Sequence, residues 1–414
     1  MKVCVIGSGI CGIAAVRELQ RHLPAGSLHW LSEDPEAGGL WSSSSRRSRV
    51  YDALYLNTSR ERSAFTGSPI RAEAPVQYLH HSRYAAYLEE VAAECDGAER
   101  HWECRVTSVD RHPDGGWLVR WVGPDGAASE AEFDAVVDAT GHNGEPRGPQ
   151  VPVAADPVYA YAHSSAYRNP EPYRGKHVLV VGNGASAVDI ACDLVAVAAG
   201  VGISIRTPKW HLPKAILGKP IDHSSDGRLQ HAPLVGGLAA RVAESVVRRL
   251  VGSYAAYGLP KPGKPLSAST PVLSDHFLSH LSHGRLHVYG RVAALEQEAV
   301  QFADGTAEKF DAVIAATGFS ESSPHLPADA QRVLREDRLG LALEVPGCGG
   351  LFLMNRFRCG EAAVRCAEPQ AAAVARALSR PRSGTGMPPG VPAPSGAGSR
   401  VTAHTLEKVY EAYR

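Results

Sequence analysis

No two of the eight cysteines stand in a C-x-x-C pair, and none joins a zinc-type cluster. That excludes a dithiol motif or disulfide staple readable from spacing, and it favours reduced thiols. Net charge is lacking as well. The 43 Lys and Arg balance 43 Asp and Glu, so the chain offers neither a polynucleotide nor an anionic membrane a general electrostatic hold. No apolar run reaches the roughly eighteen residues of a spanning helix. The apolar start at Met1 to Ile6 is cut by Gly7 with no cleavage region behind it, unlike a signal sequence. His80-His81 and the other histidines show no i, i+4 pairing with a carboxylate of metal-site type, so no metal is expected. These absences predict a soluble, cytoplasmic protein with no nucleic-acid or membrane partner. Its 414 residues suffice for two or three domains, each with its own core.

What is present is a unit that occurs twice. Val3 to Ile6 is a short β-branched apolar run, the pattern of a strand buried on both faces of a parallel sheet. Gly7-Ser8-Gly9-Ile10-Cys11-Gly12 follows, then apolar positions at helical spacing from Ile13 to Leu23, stopped by Pro24 and Gly26. The next strand, Leu28 to Leu31, ends near Glu33, which lies 21 residues past Gly12. A glycine turn between strand and helix cradles a pyrophosphate against helix N-terminal N–H groups, and the downstream acid suits a ribose hydroxyl. Glu33 could equally be a solvated strand-end acid. Gly38-Gly39-Leu40-Trp41 suits a chain wrapping a flat ring system, which makes Gly39, Leu40 and Trp41 candidate contacts.

The second copy is His177 to Val181 followed by Gly182-Asn183-Gly184-Ala185-Ser186-Ala187, with alanine as the tolerated third small residue. After the strand expected at Gly202 to Ile205, the acid's place holds Arg206, a residue that accommodates the 2'-phosphate of NADP. Thr207 and Lys209 are near enough in sequence to assist. Arg206 could instead form a surface ion pair, and Ser186 could meet a pyrophosphate or cap its helix. Two further strand patterns, Asp134 to Gly141 and Asp311 to Gly318, each end in Ala-Thr-Gly. Such turns let backbone approach a cofactor closely and add Thr140 and Thr317 to the candidates. Trp117 to Trp121 and Val300 to Phe302 alternate like small antiparallel pieces. Two dinucleotides in one chain imply electron traffic between them. The missing C-x-x-C dithiol argues against a disulfide as acceptor, which leaves oxygen.

At this point the chain resembles the flavin-containing monooxygenases, class B flavoprotein monooxygenases, from Met1 to about Ala377. Asn57-Thr58-Ser59-Arg60-Glu61-Arg62-Ser63-Ala64-Phe65 is similar to the family's N-x-x-K/R-E-x-M-x-F segment, with Ser63 in place of methionine. His163-Ser164-Ser165-Ala166-Tyr167 is similar to the second half of F-x-G-x-x-x-H-S-x-x-Y, although Pro157 and Tyr159 stand at the Phe and Gly positions. Arg174-Gly175-Lys176 and Ala315-Ala316-Thr317-Gly318-Phe319 match further family segments.

The resemblance implies an α/β fold with two Rossmann-like dinucleotide-binding domains, the NADPH domain inserted into a discontinuous FAD domain. The expected boundaries are 1–150 and 316–380 for FAD and 151–315 for NADPH, with a substrate-pocket insertion at 218–270. A Pro/Gly/Ser linker at 381–400 and a helical tail at 401–414 follow. It also implies FAD and NADPH as cofactors, and a cycle in which NADPH reduces FAD, O2 adds at the flavin and a soft nucleophile, amine nitrogen or sulfur of a small molecule, takes one oxygen atom. Asn57 matches the family's active-site asparagine, although Asn57-Thr58-Ser59 is also capping chemistry. His163 is either a residue of the domain hinge or a structural histidine. Relatives that oxygenate ketones usually carry tryptophan at the position of Tyr167, so Baeyer–Villiger chemistry is the alternative, with a non-oxygenating NADPH oxidase or nucleotide sensor behind it. A homodimer and a role in detoxification or secondary metabolism are the remaining expectations.

Overall fold

The computed structural model describes residues 1–414 apart from 72–74, 143, 226–241, 243, 250, 267–268, 337–338, 340–342, 357–360, 380–405, 407–409 and 411–414. The expected linker at 381–400 therefore lies outside the described residues, as do much of the 218–270 region and most of the tail. Of the tail, Leu406 and Tyr410 are helical and buried. The chain forms two compact units. The first comprises Met1–Val50, Thr58–Gly144 and Glu321–Arg414; the second comprises Tyr51–Asn57 and Glu145–Ser320.

In the first unit, β1 (Val3–Ile6) pairs in parallel with β2 (Leu28–Leu31) on one side and β4 (Ala135–Asp138) on the other. All four residues of β1 are buried, as an interior strand of a covered parallel sheet requires. The edges are β3 (Glu99–His101) beside β2 and the strand Leu351–Leu353 beside β4, again parallel. In chain order the arrangement is 3-2-1-4-5, the doubly wound order that leaves a ligand crevice at the carboxyl ends of the strands. Helix α1 (Ile10–Leu19) begins directly from the glycine turn, three residues before the apolar periodicity starts, and ends at Leu19. The chain still closes a turn from Leu23 N–H to Leu19 O, 3.0 Å, before Pro24 forbids continuation. Strands Arg105–Arg111, Trp117–Val122 and Ala128–Phe133 form an antiparallel meander. Its Val109, Trp117, Val119 and Phe133 share one core with Cys4, Ile6, Leu31 and Val136 of the parallel sheet.

The second unit repeats the design. Strand β5 (His177–Val181) lies between β6 (Gly200–Ser204) and β7 (Ala312–Ala315), all parallel, with His287–Tyr289 and Ala160–His163 at the edges. Helix α2 (Ala185–Leu194) turns Ala187, Val188, Ile190, Ala191 and Leu194 inward, onto Val178, Val180, Ile203 and Ile314. Six cysteines, Cys4, Cys11, Cys95, Cys104, Cys192 and Cys348, are free. Cys366 is disulfide-bonded, which departs from the expectation of reduced thiols. Among the described residues, no helix is long and apolar enough to cross a membrane.

Candidate functional site

Each unit builds a cradle at the end of its central strand, and in each the first glycine is sterically enforced. Gly7 has φ +105°, and a Cβ there would stand 2.7 Å from the carbonyl oxygen of Ala139, in the first Ala-Thr-Gly turn. A side chain at Gly12 would run into the carbonyl oxygen of Gly7, so α1 packs on the turn only because this position is bare. Gly9 sits at the N-cap in extended conformation and gives no side-chain cap. The first-turn N–H groups, unpaired within any helix, therefore face the turn. Gly39, at φ +55°, packs so closely that a Cβ would lie 2.8 Å from Gly9 Cα, and Gly38 N–H bonds Ser8 O at 2.9 Å. The Gly39-Leu40-Trp41 turn is thereby docked on the cradle, with Trp41 edge-on to Tyr84. Glu33 is partly buried and ion-paired to Arg47 at 2.8 Å.

A residue not anticipated from sequence fixes this cradle's far wall. Arg356 and Asp138, both buried, meet at 2.7 Å. Arg356 also donates to Gly141 O at 2.9 Å, and its guanidinium lies 3.3 Å from Thr140 Oγ1. Asp138 accepts from Thr140 N–H at 3.0 Å and faces His325 at 3.5 Å. Burial alone would raise the Asp138 carboxyl, but Arg356 and His325 outweigh it and hold the group below the usual carboxylate range. The ion pair thus straps the Ala139-Thr140-Gly141 turn against Gly7. The available signal was Asp138 immediately before Ala-Thr-Gly.

The second cradle has the same plan. Gly182, at φ +147°, admits no Cβ because the carbonyl of Ala316 blocks it. The turn Ala316-Thr317-Gly318 is held by a bond from Thr317 Oγ1 to Arg147 O. His163 braces it too. Its Nδ1 accepts from Ser165 N–H at 3.1 Å, which leaves Nε2–H to donate to Gly318 O at 3.0 Å, so this histidine is a satisfied structural residue of the second unit. Gly184 differs from Gly182: a Cβ there meets nothing within 4 Å. Asn183 donates to Thr207 O at 2.9 Å, tying the segment of Arg206 and Thr207 to the glycine turn. Ser186, Arg206 and Thr207 are exposed, and Lys209 is half-buried.

Asn57 belongs to the second unit. Helix capping at Arg60–Ser63 is done by Ser59, whose side chain accepts from Arg62 N–H. The Oδ1 of Asn57 is instead buried without a partner. Tyr51 donates to Asp189 of α2 at 3.3 Å. Lys214 Nζ donates to the carbonyl of Leu56 at 3.2 Å. Burial pushes the Asp189 carboxyl up to about 6, against the opposing pull of Lys214, Asn57 and Tyr51. Burial likewise lowers the Lys214 ammonium. Asp189 and Lys214, which neighbour the Asn57 segment in the second unit, are not among the residues expected from sequence.

Two such cradles, each closed by its own Ala-Thr-Gly turn, bear on ancestry once the whole chain is compared with known proteins. The model of the flavin-binding monooxygenase-like family matches residues 1–341. The chain belongs to the flavin-binding monooxygenase-like family. Members of this family are flavin-dependent oxidoreductases with FAD and NADPH as cofactors. Among curated relatives, rat dimethylaniline monooxygenase [N-oxide-forming] 2 is 33% identical over 344 residues, 78% of this chain and 63% of that protein. The chain thus spans under two thirds of that relative's length. Rice indole-3-pyruvate monooxygenase YUCCA1 is 30% identical over 333 residues, 79% of this chain and 78% of that protein. Among solved structures, the S-allyl-L-cysteine S-oxygenase of Allium sativum shares the fold, with a TM-score of 0.65 at 22% identity, covering all of this chain and 81% of that one.

Proposed function

We propose that this flavin-binding monooxygenase-like protein is an NADPH- and O2-dependent monooxygenase that oxygenates an amine nitrogen or a sulfur of a small molecule. The observation that carries the reading is the duplication of the glycine cradle, one per unit, in a chain matched by the family model over residues 1–341. One cradle alone would serve any dinucleotide enzyme; two supply a donor and an acceptor of electrons. FAD, when bound, passes reducing equivalents from NADPH to O2 and transfers one oxygen atom, the other leaving as water.

In this reading the first unit holds FAD. Its pyrophosphate lies against Gly7, Gly9 and Gly12 at the N-terminus of α1, where N–H groups and helix dipole favour negative charge. Glu33, positioned by Arg47, takes a ribose hydroxyl. Gly39, Leu40, Trp41 and Thr140 line the cofactor. The second unit holds NADPH on Gly182, Gly184, Ser186 and Thr317, with Arg206, Thr207 and Lys209 at the 2'-phosphate. Asn57 is the polar residue at the reacting centre. Its buried, orphan Oδ1 is left as an acceptor for a bound cofactor or water. A neutral amide does this without adding charge.

The nitrogen or sulfur preference is supported by the name of the rat relative, an N-oxide-forming enzyme, and by tyrosine at position 167. The test is turnover of a panel containing a tertiary amine, a thioether and a cyclic ketone, with products read by mass spectrometry. N-oxide or sulfoxide as the main product supports the proposal. Lactone as the main product replaces it with Baeyer–Villiger chemistry, and peroxide equal to NADPH consumed with every substrate removes oxygenation.

A further inference from the structure

The geometry points to a divalent transition-metal site, of the kind that takes zinc, on the edge of the first unit's parallel sheet, formed by His29, Glu99 and His101. His29 lies on β2, and Glu99 and His101 lie on the edge strand β3. The register pairs His29 with Glu99 and Leu31 with His101. Side chains two apart on a strand share a face, so all three project from the same side of the sheet. Their ligand atoms converge. His29 Nδ1 is 3.2 Å from His101 Nε2 and 3.5 Å from a Glu99 carboxylate oxygen, and His101 Nε2 is 3.3 Å from the other oxygen. A tetrahedral zinc ion with bonds of about 2.05 Å requires ligands about 3.3 Å apart. The separation of the two imidazole nitrogens, 3.2 Å, is close to that edge length, and one ligand atom from each of the three residues lies within 4.8 Å of the others.

The surroundings suit a ligand set of this type. The His29 ring packs edge-on to Phe133 at 5.3 Å, and His101 lies 6.0 Å from Trp121, so the meander walls both rings. Glu99 is exposed, which opens the fourth position to water. Two imidazoles and one carboxylate favour zinc or a neighbouring transition ion over calcium or magnesium. No local spacing rule joins residue 29 to residues 99 and 101, which explains why the motif reading assigned no metal. The bound ion would cross-link β2 to the three-residue edge strand.

The test is calorimetric titration of ZnCl2 into the FAD-loaded full chain after chelator treatment, repeated with Co2+ to record visible d–d absorption. The site predicts saturable one-to-one binding tighter than ~10 µM and a four-coordinate cobalt spectrum. Glu99→Gln, at an exposed position, should weaken binding about tenfold or more, and His101→Asn at least as much. A control variant, His276→Asn with His280→Asn, removes the neighbouring rings of the helix Phe277–Ser282 and its cap and should leave affinity unchanged. Absence of one-to-one binding, or affinity insensitive to Glu99→Gln and lost in the control, overturns the site and leaves the trio as a hydrogen-bonded cluster.

Discussion

The phenolic hydroxyl of Tyr51 donates a hydrogen bond to the carboxylate of Asp189 at 3.3 Å, which joins the short Tyr51–Asn57 segment to the first half of helix α2 inside one unit. Because Ser59 performs the capping that Asn57 could have performed, the asparagine is free to serve another purpose. Asn57→Ala should leave FAD bound while the fraction of NADPH converted to oxygenated product falls several-fold and peroxide rises to match. Parallel measurement of flavin content, NADPH consumption and product checks this, and unchanged coupling would place Asn57 outside the reaction.

Asp189 gives a pH signature with a definite sign. Its folded-state carboxyl is raised to about 6 from an ordinary 3.8. The charged form is therefore disfavoured in the folded protein. No penalty exists below the unfolded value; it grows as pH rises through the interval between the two and is complete above about 6. The difference corresponds to something on the order of 3 kcal/mol. Melting temperatures of the parent and Asp189→Asn should diverge between pH 4 and pH 6 in favour of the variant, then run parallel to pH 8. A constant offset over the whole range would contradict the raised carboxyl.

The two glycines of the second cradle should separate folding from binding. Gly182→Ala strains a positive φ and meets the Ala316 carbonyl, so it should destabilise the protein by about 1–3 kcal/mol. Gly184→Ala has open space around its Cβ. It should fold like the parent yet lose NADPH affinity, because the methyl stands where the pyrophosphate approaches. Thermal melts with NADPH titrations distinguish the two, and equal losses of both properties in both variants would count against the cradle.

Arg206 should set the choice between the two nicotinamide cofactors. Arg206→Ala should raise KM for NADPH roughly tenfold to a hundredfold, the equivalent of about 1.5–3 kcal/mol for a charge-assisted contact, and leave KM for NADH nearly unchanged. Equal effects on both cofactors would return Arg206 to the status of a surface cation.

The parts of this molecule that depend on nearest neighbours in the chain were legible in the sequence. Val3 to Ile6 and His177 to Val181 are strands because each is an apolar run buried on two faces, and the glycines after them announce the turns. Contacts between residues distant in the chain were not legible. Asp138 and Arg356 are 218 positions apart, and no periodicity links them. Residues 51–57 were expected within the 1–150 stretch, since nothing in their composition ties them to a helix more than a hundred residues later. Gly182 and Gly184 read alike as members of one motif; only the path of the second Ala-Thr-Gly turn makes the first indispensable and the second roomy.

The central claim is that oxygen from O2 enters the substrate at the expense of NADPH. The most direct measurement is turnover of a thioether or tertiary amine under 18O2 with NADPH, with product mass and NADPH consumption followed together. The account predicts one labelled oxygen atom per product molecule and near one-to-one coupling to NADPH. Unlabelled product, or NADPH oxidation that ends wholly in peroxide, would contradict it.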